Sequence, residues 1–323
     1  MPTITLDDQR YKCDPEQTLL DTLLAQNVVV PYGCQQGVCQ SCLMNCLDGT
    51  PPGEAQVGLN DAQLALGQFL ACQCYPEQDM QVCLPVHSQL IPATVVSKQR
   101  LTDEIIRLTL KTDAPLAFHA GQFVNLQRDD GLLRSYSIAN LPNDENLLEF
   151  HIRKLTDGQF SQWAYHDLKE GDKLDVHSPQ GHCFYTPGKS EQHLLLIGTG
   201  TGLAPLAGII ADALAHQHSG LIHLFHGSQH AGGLYLVETM RQLASQYENV
   251  NYTACVSRAP APDGFAQGRA NELALETYPD LKGWRVYLCG HPDMVKITQQ
   301  KAFLAGAKMR DIYADAFLVG DHQ

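Results

Sequence analysis

The sequence predicts a multidomain chain that combines α+β and α/β folds, in three parts. Three observations support this. Eight of the eleven cysteines lie in residues 1–88. Residues 91–187 then carry short β-prone runs separated by Gly- and Asp-rich turns, as in an antiparallel β-barrel. Residues 190–323 alternate strand and helix patterns, as a doubly wound parallel sheet requires.

The first part, residues 1–88, begins with alternating residues at Thr3–Leu6 that predict a short strand. A turn leads into a helix over Thr18–Gln26, whose leucines fall on one face. A cysteine-rich loop follows, and Met80–Leu84 predicts a closing strand. We expect residues 85–92, bracketed by two prolines, to be the linker.

The other two parts show their strands as separate apolar runs. The barrel strands are predicted at Thr94–Val96, Ile105–Leu110, Gln122–Leu126, Ser135–Ile138, Leu147–Ile152 and Lys173–Val176. The strands of the parallel sheet are predicted at His193–Gly198, Leu221–Gly227, Tyr252–Val256, Val286–Cys289 and Ile312–Ala314, with a helix at Ala204–His216.

The cysteine loop carries the spacing C-x4-C-x2-C at Cys34, Cys39 and Cys42. This is the plant-type arrangement for a 2Fe–2S cluster, in which three thiolates come from one tight loop. A zinc knuckle is the alternative, but zinc sites usually show paired C-x2-C hooks. The string around Cys72 resembles the fourth-ligand segment of plant-type ferredoxins, so we choose Cys72 over Cys74. The remaining cysteines of this part, Cys13, Cys46, Cys74 and Cys83, are expected to be buried or half-buried thiols.

The barrel part carries the string Arg134-Ser135-Tyr136-Ser137, which resembles the R-x-Y-S motif of the ferredoxin–NADP reductase superfamily. It offers a cation for a pyrophosphate, a flat ring for a flavin and a hydroxyl near flavin N5. The family's second element is similar to Ile152-Arg153-Lys154 together with Gly158 and Ser161, where a helix N-terminus favours phosphate. The turn Pro179-Gln180-Gly181 resembles the family's P-x-G turn.

The third part resembles the same superfamily at two further motifs. The run Gly198-Thr199-Gly200-Thr201-Gly202, followed by Pro205, is similar to its G-x-G-x-G-x-x-P turn, where glycines let the backbone approach a pyrophosphate. Cys289-Gly290 is similar to its C-G-x-x-x-M segment, and the resemblance implies that Cys289 lies beside the nicotinamide. Asp315 and Phe317 fall where the family carries an acid and an aromatic close to the flavin.

Taken together, the three parts resemble the reductase components of multicomponent bacterial oxygenases, over essentially the whole chain. The resemblance implies a β-grasp ferredoxin domain, an FAD-binding β-barrel domain and an NAD(P)-binding α/β domain. It implies catalytic roles for Ser137, Cys289 and Asp315, and electron transfer from NADH through FAD and the 2Fe–2S cluster to an external acceptor, a terminal oxygenase. Two alternatives stay open: another acceptor, such as a deoxysugar-forming enzyme or a cytochrome, or a redox sensor without turnover.

The third part contains residues that favour NADPH binding and residues that oppose it. Ser257-Arg258 resembles the pair that binds the 2′-phosphate in the family's NADPH users. The later positions hold Asp263 and Phe265, and a carboxylate would repel that phosphate. We therefore expect NADH to be preferred.

The net charge limits the possible binding partners, and the search for a signal peptide or membrane span bears on the cellular location. The net charge is −13, and eight of those negative charges lie before residue 91, which argues against nucleic acid or a membrane surface and allows docking of a basic protein. No signal peptide or membrane span is evident, so we expect a cytoplasmic monomer with reduced thiols. The histidines of the third part lack partners at metal spacing and are expected to be surface or structural: His216, His218, His223, His226 and His230.

Overall fold

The computed structural model describes residues 1–85 and 90–317. By its contacts the chain divides into two compact units, Met1–Ser88 and Gln89–Gln323. In the described residues no helix is long and apolar enough to cross a membrane.

The first unit is a mixed sheet covered by a helix, which is the β-grasp arrangement. Thr18 caps the first helix by accepting a hydrogen bond from the Asp21 N–H at 3.1 Å, and the leucines of that helix face the core. The described strands run in the order β2-β1-β5-β3-β4, with only the β1–β5 pair parallel. The elements are β1 Thr3–Leu6, β2 Gln9–Lys12, α1 Leu19–Ala25, β3 Leu43–Asp48, α2 Asp61–Ala65, β4 Gln68–Leu70 and β5 Met80–Cys83.

The second unit begins with an antiparallel sheet whose described strands follow the order β10-β7-β6-β11-β8-β9. The segment just after one outer strand meets the other outer strand through a hydrogen bond from the Ala139 N–H to the Glu149 carbonyl at 2.9 Å, which makes the sheet barrel-like. Inward-facing aliphatic and aromatic residues fill the core. The elements are β6 Leu90–Arg100, β7 Ile105–Thr112, β8 Phe123–Gln127, β9 Leu133–Ser137, β10 Leu147–Arg153, α3 Gln159–His166 and β11 Lys173–His177.

The rest of the second unit is a parallel sheet with helices between its strands. The order among described strands is β15-β14-β13-β12-β16-β17, so the winding reverses between β12 and β16. Such a reversal opens a crevice at the carboxyl ends of the strands, where ligands of α/β proteins bind. The elements are β12 Leu194–Thr199, α4 Leu203–Ala215, β13 Ile222–Ser228, α5 Val237–Gln246, β14 Val250–Val256, β15 Ala266–Gln267, α6 Ala270–Thr277, β16 Arg285–Gly290, α7 Pro292–Leu304 and β17 Ile312–Ala316.

The predicted fold class is confirmed, with corrections to detail. The predicted linker extends too far, because Pro92 lies inside β6, where its carbonyl accepts the Asp113 N–H at 2.9 Å. Residues 86–89 of that linker lie outside the described residues. Strand β6 is also much longer than its predicted core, with a register shift between Val95 and Ser97.

The five histidines of the third part divide between the two expected kinds: His216 and His230 are exposed, and the other three are buried structural residues. His218, His223 and His226 are only 4%, 8% and 0% exposed. Burial lowers the pKa of His223 and of His226 to about 4, so both rings are neutral at pH 7.

Candidate active site

The cysteine loop of the first unit directs backbone N–H groups at its own sulfurs. The N–H groups of Gln36 and Cys39 lie 3.3 and 3.4 Å from the Cys34 sulfur, and the Cys34 N–H lies 3.4 Å from the Cys39 sulfur. Hydrogen bonds to a sulfur favour its thiolate, and they lower the pKa of Cys39 to about 6. Gly37 has φ +76°, a conformation that lets the loop fold inward.

The other two predicted ligands, Cys42 and Cys72, lie together at the base of this loop. The Ala71 N–H donates to the Cys42 carbonyl at 3.1 Å, which sets the two cysteines side by side. Burial, together with the neighbouring Cys72 thiol, raises the pKa of Cys42 to about 11. Across residues 1–85 and 90–317, no three His, Cys, Asp or Glu side chains form a ready metal site, so the four thiols stand as two pairs.

Cys74 has a different environment from Cys72. It is fully buried in the core of the first unit, near Cys13 and Cys46, and burial raises its pKa to about 12. Cys74 therefore lies among the other core thiols, whereas Cys72 lies beside Cys42 at the base of the loop. Donor chemistry and backbone N–H groups together therefore fit a tetrathiolate cluster at Cys34, Cys39, Cys42 and Cys72. The other unassigned cysteines of this unit, Cys13, Cys46 and Cys83, are buried or half-buried as expected.

Strand β9 in the second unit presents the predicted flavin residues. Arg134 and Ser135 are exposed, and the Ser135 hydroxyl donates to Asn125 Oδ1 at 2.6 Å. Tyr136 is half-buried, and its ring centroid lies 5.5 Å from that of Phe160 on α3. Strand β9 therefore offers a cation and an aromatic ring, the groups that a dinucleotide needs.

The second predicted flavin element lies around the start of α3. Ser161 is buried; its hydroxyl accepts the Leu155 N–H at 3.1 Å and donates to the Gly158 carbonyl at 3.2 Å. A Cβ at Gly158 would lie 2.3 Å from that hydroxyl oxygen, so only glycine fits there. These two hydrogen bonds close the turn, and the first backbone N–H groups of α3, which have no acceptor within the helix, follow Gly158 directly.

The basic residues beside this element are held by neighbours. Arg153 makes two hydrogen bonds to Glu104 Oε2, at 2.7 and 3.0 Å, while Ile152 is buried in the barrel core. The Lys154 ammonium lies 4.3 Å from the centre of the Tyr165 ring. A Cβ at Gly200 would lie 3.9 Å from Arg153 Nη1, so the barrel arginine reaches the glycine turn.

The glycine turn joins β12 to α4 at the point where the sheet winding reverses. A Cβ at Gly202 would lie 2.3 Å from the Cys289 carbonyl oxygen, and one at Gly198 would lie 2.7 Å from a Leu206 methyl. Only glycines allow β12, α4 and β16 to approach this closely. Thr199 and Thr201 lie in the turn, and Pro205 is buried in the first turn of α4, which follows Gly202 directly.

Three predicted site residues from distant parts of the chain meet beside this turn. The Ser137 hydroxyl donates to Asp315 Oδ2 at 3.0 Å, and Asp315 pairs in register with Cys289 of the neighbouring strand. Burial raises the pKa of Asp315, and the bond from Ser137 opposes that rise. Cys289 is fully buried, and burial raises its pKa well above the usual range, so its sulfur is a thiol.

Two more contacts close the same crevice. The Phe317 N–H donates to the Gly290 carbonyl at 2.8 Å, and Gly290 needs its φ of +121° and its lack of a Cβ to lie against Thr199. The buried Cys183, at the end of the barrel part, has its sulfur 3.6 Å from that of Cys289. Sequence reasoning did not single out Cys183, because a lone cysteine 106 residues away carries no local signal.

The residues that bear on the choice between NADH and NADPH lie at and after the end of β14, away from Ser137, Asp315 and Cys289. The Ser257 hydroxyl donates to the Ser228 carbonyl at 3.2 Å, and Arg258 is exposed. Asp263 is exposed in a turn, whereas the Phe265 ring lies 5.0 Å below the Arg241 guanidinium.

Three protein-family models match successive parts of the chain. The model of the 2Fe-2S iron-sulfur cluster binding domain matches residues 3–77. The model of the oxidoreductase FAD-binding domain matches residues 92–185, and that of the oxidoreductase NAD-binding domain matches residues 196–300.

Whole-chain relatives agree with these domains. The reductase subunit of an aromatic O-demethylase from an Amycolatopsis strain is 32% identical over 307 residues, covering 91% of both chains. The ferredoxin–NAD(P)+ reductase component of a Ralstonia naphthalene 1,2-dioxygenase/salicylate 5-hydroxylase system is 32% identical and covers 93% of both. The chain belongs to this family of reductase components. It is an NAD(P)H oxidoreductase with domains for a 2Fe–2S cluster, FAD and NAD.

Solved structures of family members have the same fold over the full length of the reductase. The crystal structure of an Amycolatopsis cytochrome P450 reductase aligns with a TM-score of 0.69 at 30% identity, covering 98% of this reductase and 99% of that chain. The ferredoxin reductase of a carbazole 1,9a-dioxygenase aligns with a TM-score of 0.66 at 25% identity, covering 98% of both.

Proposed function

We propose that the chain is an NADH-dependent reductase that passes electrons through FAD and its own 2Fe–2S cluster to a terminal oxygenase component. The observation that carries this proposal is the convergence of Ser137, Asp315 and Cys289 beside the glycine turn. We assign the cluster to residues 1–88, FAD to residues 91–187 and the nicotinamide to residues 190–323.

The flavin would lie along β9 and the start of α3. Arg134 supplies a cation for the pyrophosphate, and Tyr136 supplies a ring face beside Phe160. The α3 N-terminus at Gly158 and Ser161 adds N–H donors for phosphate. Ser135, Ile152, Arg153 and Lys154 complete this surface. FAD bound at these residues would supply the chemistry that accepts two electrons as hydride and releases them one at a time.

The nicotinamide nucleotide would lie over the crevice between β12 and β16. The turn Gly198–Gly202, followed by Pro205, brings backbone against the pyrophosphate, and Cys289 with Gly290 forms the wall at the nicotinamide end. Ser137 holds the Asp315 carboxyl in place, and together they present a polar edge beside the buried Cys289. Phe317, anchored to the Gly290 carbonyl, covers the same end.

The preference for NADH rests on the residues after β14. Ser257 and Arg258 could meet an adenosine ribose, but Asp263 is exposed in the turn that follows. A 2′-phosphate placed there would carry a charge of about −1.5 to −2 beside that carboxylate. Phe265 offers no hydroxyl and packs under Arg241. We therefore expect kcat/KM to favour NADH over NADPH, and a ratio favouring NADPH would contradict this assignment.

The acceptor would dock on the first unit, which holds the cluster cysteines and eight of the thirteen net negative charges. A basic patch around the acceptor's redox centre would complement it. The oxygenase-system relatives favour a terminal oxygenase. A second candidate acceptor is a deoxysugar-forming dehydrase, because the reductase for a CDP-hexulose dehydrase in Yersinia pestis is 26% identical over 317 residues. All eleven cysteines are free thiols, as the reducing conditions of the cytoplasm would keep them.

The proposal is tested with matched cysteine variants of the full chain. With NADH, the wild type should reduce both ferricyanide, which accepts from flavin, and cytochrome c, which needs the cluster. Cys72→Ser should keep ferricyanide reduction and lose cytochrome c reduction together with the cluster absorbance, while Cys74→Ser keeps both. The opposite pattern would assign the fourth ligand to Cys74, and a wild type without steady turnover would favour the redox sensor.

A further inference from the structure

A chain of buried hydrogen bonds links the barrel to the sheet that carries the glycine turn. Tyr235, in the segment before α5, is 3% exposed, and its hydroxyl lies 3.0 Å from Nδ1 of His151 on β10. His151 is 5% exposed, and its Nε2 lies 3.0 Å from Glu149 Oε1. We call this arrangement the Tyr235–His151 bridge.

The direction of the hydrogen bond to Glu149 follows from its acceptor. The Glu149 carboxylate only accepts, so His151 carries a proton on Nε2 and donates it. The other ring nitrogen, Nδ1, shares its hydrogen bond with the Tyr235 hydroxyl. The Tyr235 oxygen also lies close enough to the Ala204 backbone N–H, in the first turn of α4, for that group to oppose the rise that burial causes in the pKa of Tyr235. The bridge therefore runs from the barrel to the helix that follows the glycine turn.

His226 supports the same turn from the neighbouring strand β13. It is fully buried, and its Nε2 lies 3.3 Å from the Gly200 carbonyl oxygen. A carbonyl only accepts, so Nε2 is protonated and Nδ1 accepts from the Tyr252 hydroxyl, at 3.3 Å. The His226 ring also meets the Tyr235 ring edge-on, at 5.7 Å between centroids. His226 therefore contacts both the glycine turn, through Gly200, and the Tyr235–His151 bridge, through the Tyr235 ring.

The residue that follows Tyr235 has a strained backbone conformation. Leu236 has φ +55°, in the left-handed region that a branched apolar residue rarely adopts. Such strain persists only where the surroundings over-determine the conformation, and it concentrates at functional sites.

We infer that Tyr235 and His151 are positioning residues for hydride transfer. They touch neither reacting atom; they set the distance between the barrel, which would hold the flavin, and the turn, which would hold the nicotinamide nucleotide. This inference rests on the proposed function, since it takes those two cofactors as the groups being aligned. A misplacement of about 1 Å lowers the rate of an aligned reaction much more than it lowers binding.

The test compares Tyr235→Phe with Tyr278→Phe in the full-length holoenzyme. Tyr278 is a matched control, because its hydroxyl also bonds a histidine, His223 of β13, at 2.8 Å. That bond stays within the parallel-sheet part of the unit and reaches neither the turn nor the barrel strands. Loss of one buried hydrogen bond should slow flavin reduction by NADH about tenfold in Tyr235→Phe. Tyr278→Phe should stay within about twofold of the wild type.

Two further measurements separate positioning from general loosening. Amide hydrogen exchange across residues 199–206, measured without nucleotide, should accelerate about tenfold in Tyr235→Phe and not in Tyr278→Phe. The dissociation constant for NAD+ should change less than the rate constant does. Equal effects of the two variants on exchange and on rate would overturn the inference.

A second variant keeps the test decisive if Tyr235→Phe folds poorly. His151→Phe removes the same bond from its other end, together with the bond to Glu149, and should slow flavin reduction at least as much. The double variant should be no slower than the slower single variant, because one bond can be lost only once. An additive double variant would refute the bridge while leaving the proposed function intact. A wild type whose flavin NADH does not reduce would instead refute the proposed function.

Discussion

Replacing Gly202 with alanine tests how closely the glycine turn approaches the strand that carries Cys289. Gly202 has φ −59° and ψ −13°, which alanine adopts freely, so any effect comes from the added methyl group. That methyl would lie 2.3 Å from the Cys289 carbonyl oxygen and 2.7 Å from its carbon. Ordinary contact begins at 3.4 Å, so the start of α4 must move away from β16 by about 1 Å.

The magnitude follows from the cost of overpacking. Inserting a methyl into a packed site costs about 1–3 kcal/mol, which lowers the Tm of a unit of this size by roughly 2–10 °C. A displacement of about 1 Å at a site that aligns reactants can lower the rate about 100-fold. We therefore expect a folded Gly202→Ala protein with modestly lower Tm and flavin reduction by NADH about 100-fold slower.

The assay is stopped-flow flavin reduction by NADH, paired with thermal unfolding. Gly232→Ala is the control, because a Cβ at Gly232 meets nothing within 4 Å and its φ is not in the left-handed region. The control should match the wild type in rate and remain within about 0.5 kcal/mol in stability. If Gly202→Ala reduces flavin within twofold of the wild-type rate at unchanged Tm, the close packing of turn and strand is refuted.

Three further predictions concern docking on the acidic first unit, the buried carboxyl of Asp315, and the activities of residues 89–323 without the first unit. If the acceptor docks on the acidic first unit, its reduction should slow as ionic strength rises past about 0.15 M, and a salt-independent rate would contradict docking by charge. Burial already raises the pKa of Asp315, and removing the hydroxyl that donates to this carboxyl should raise that pKa further. When the pKa of a carboxyl is higher in the folded protein than in the unfolded chain, the protein loses stability as the pH rises from the unfolded pKa to the folded one. The Tm of Ser137→Ala should therefore fall further below that of the wild type at about pH 8 than at about pH 4. Equal decreases at the two pH values would argue against the bond. Residues 89–323 expressed alone should bind FAD and reduce ferricyanide with NADH, yet fail to reduce cytochrome c; failure to retain flavin would contradict the barrel assignment.

Much of the site was predictable because its signals are local. The spacing of Cys34, Cys39 and Cys42 reflects one tight loop, and the glycines after β12 reflect one tight turn, so short stretches of sequence carry both features. The decision for Cys72 over Cys74 rested on a resemblance. The structure adds a physical reason, since Cys74 faces the core among other thiols while Cys72 lies beside Cys42.

Other parts of the site could not be predicted, because they depend on contacts between distant residues. The Ser137–Asp315 hydrogen bond joins residues 178 positions apart, and the contact between Cys183 and Cys289 joins residues 106 apart. Tyr235 and His151 gave no signal at all, because each lies in an ordinary local pattern. Which of the five histidines would be buried could not be predicted for a related reason, since the burial of a ring such as His226 depends on the strands packed around it.

The sequence by itself determined the order of the three folds, their cofactor classes and the residues of the local motifs. Hydrophobic periodicity, glycine placement and cysteine spacing act over a few residues, and local geometry satisfies them wherever the chain goes next. Only the tertiary structure decided which of those residues meet. The reversal of sheet order between β12 and β16, and the placement of the barrel against that crevice, bring Ser137, Cys289 and Asp315 to one point. Such long-range contacts are fixed by the packing of whole layers, and no stretch of sequence records them.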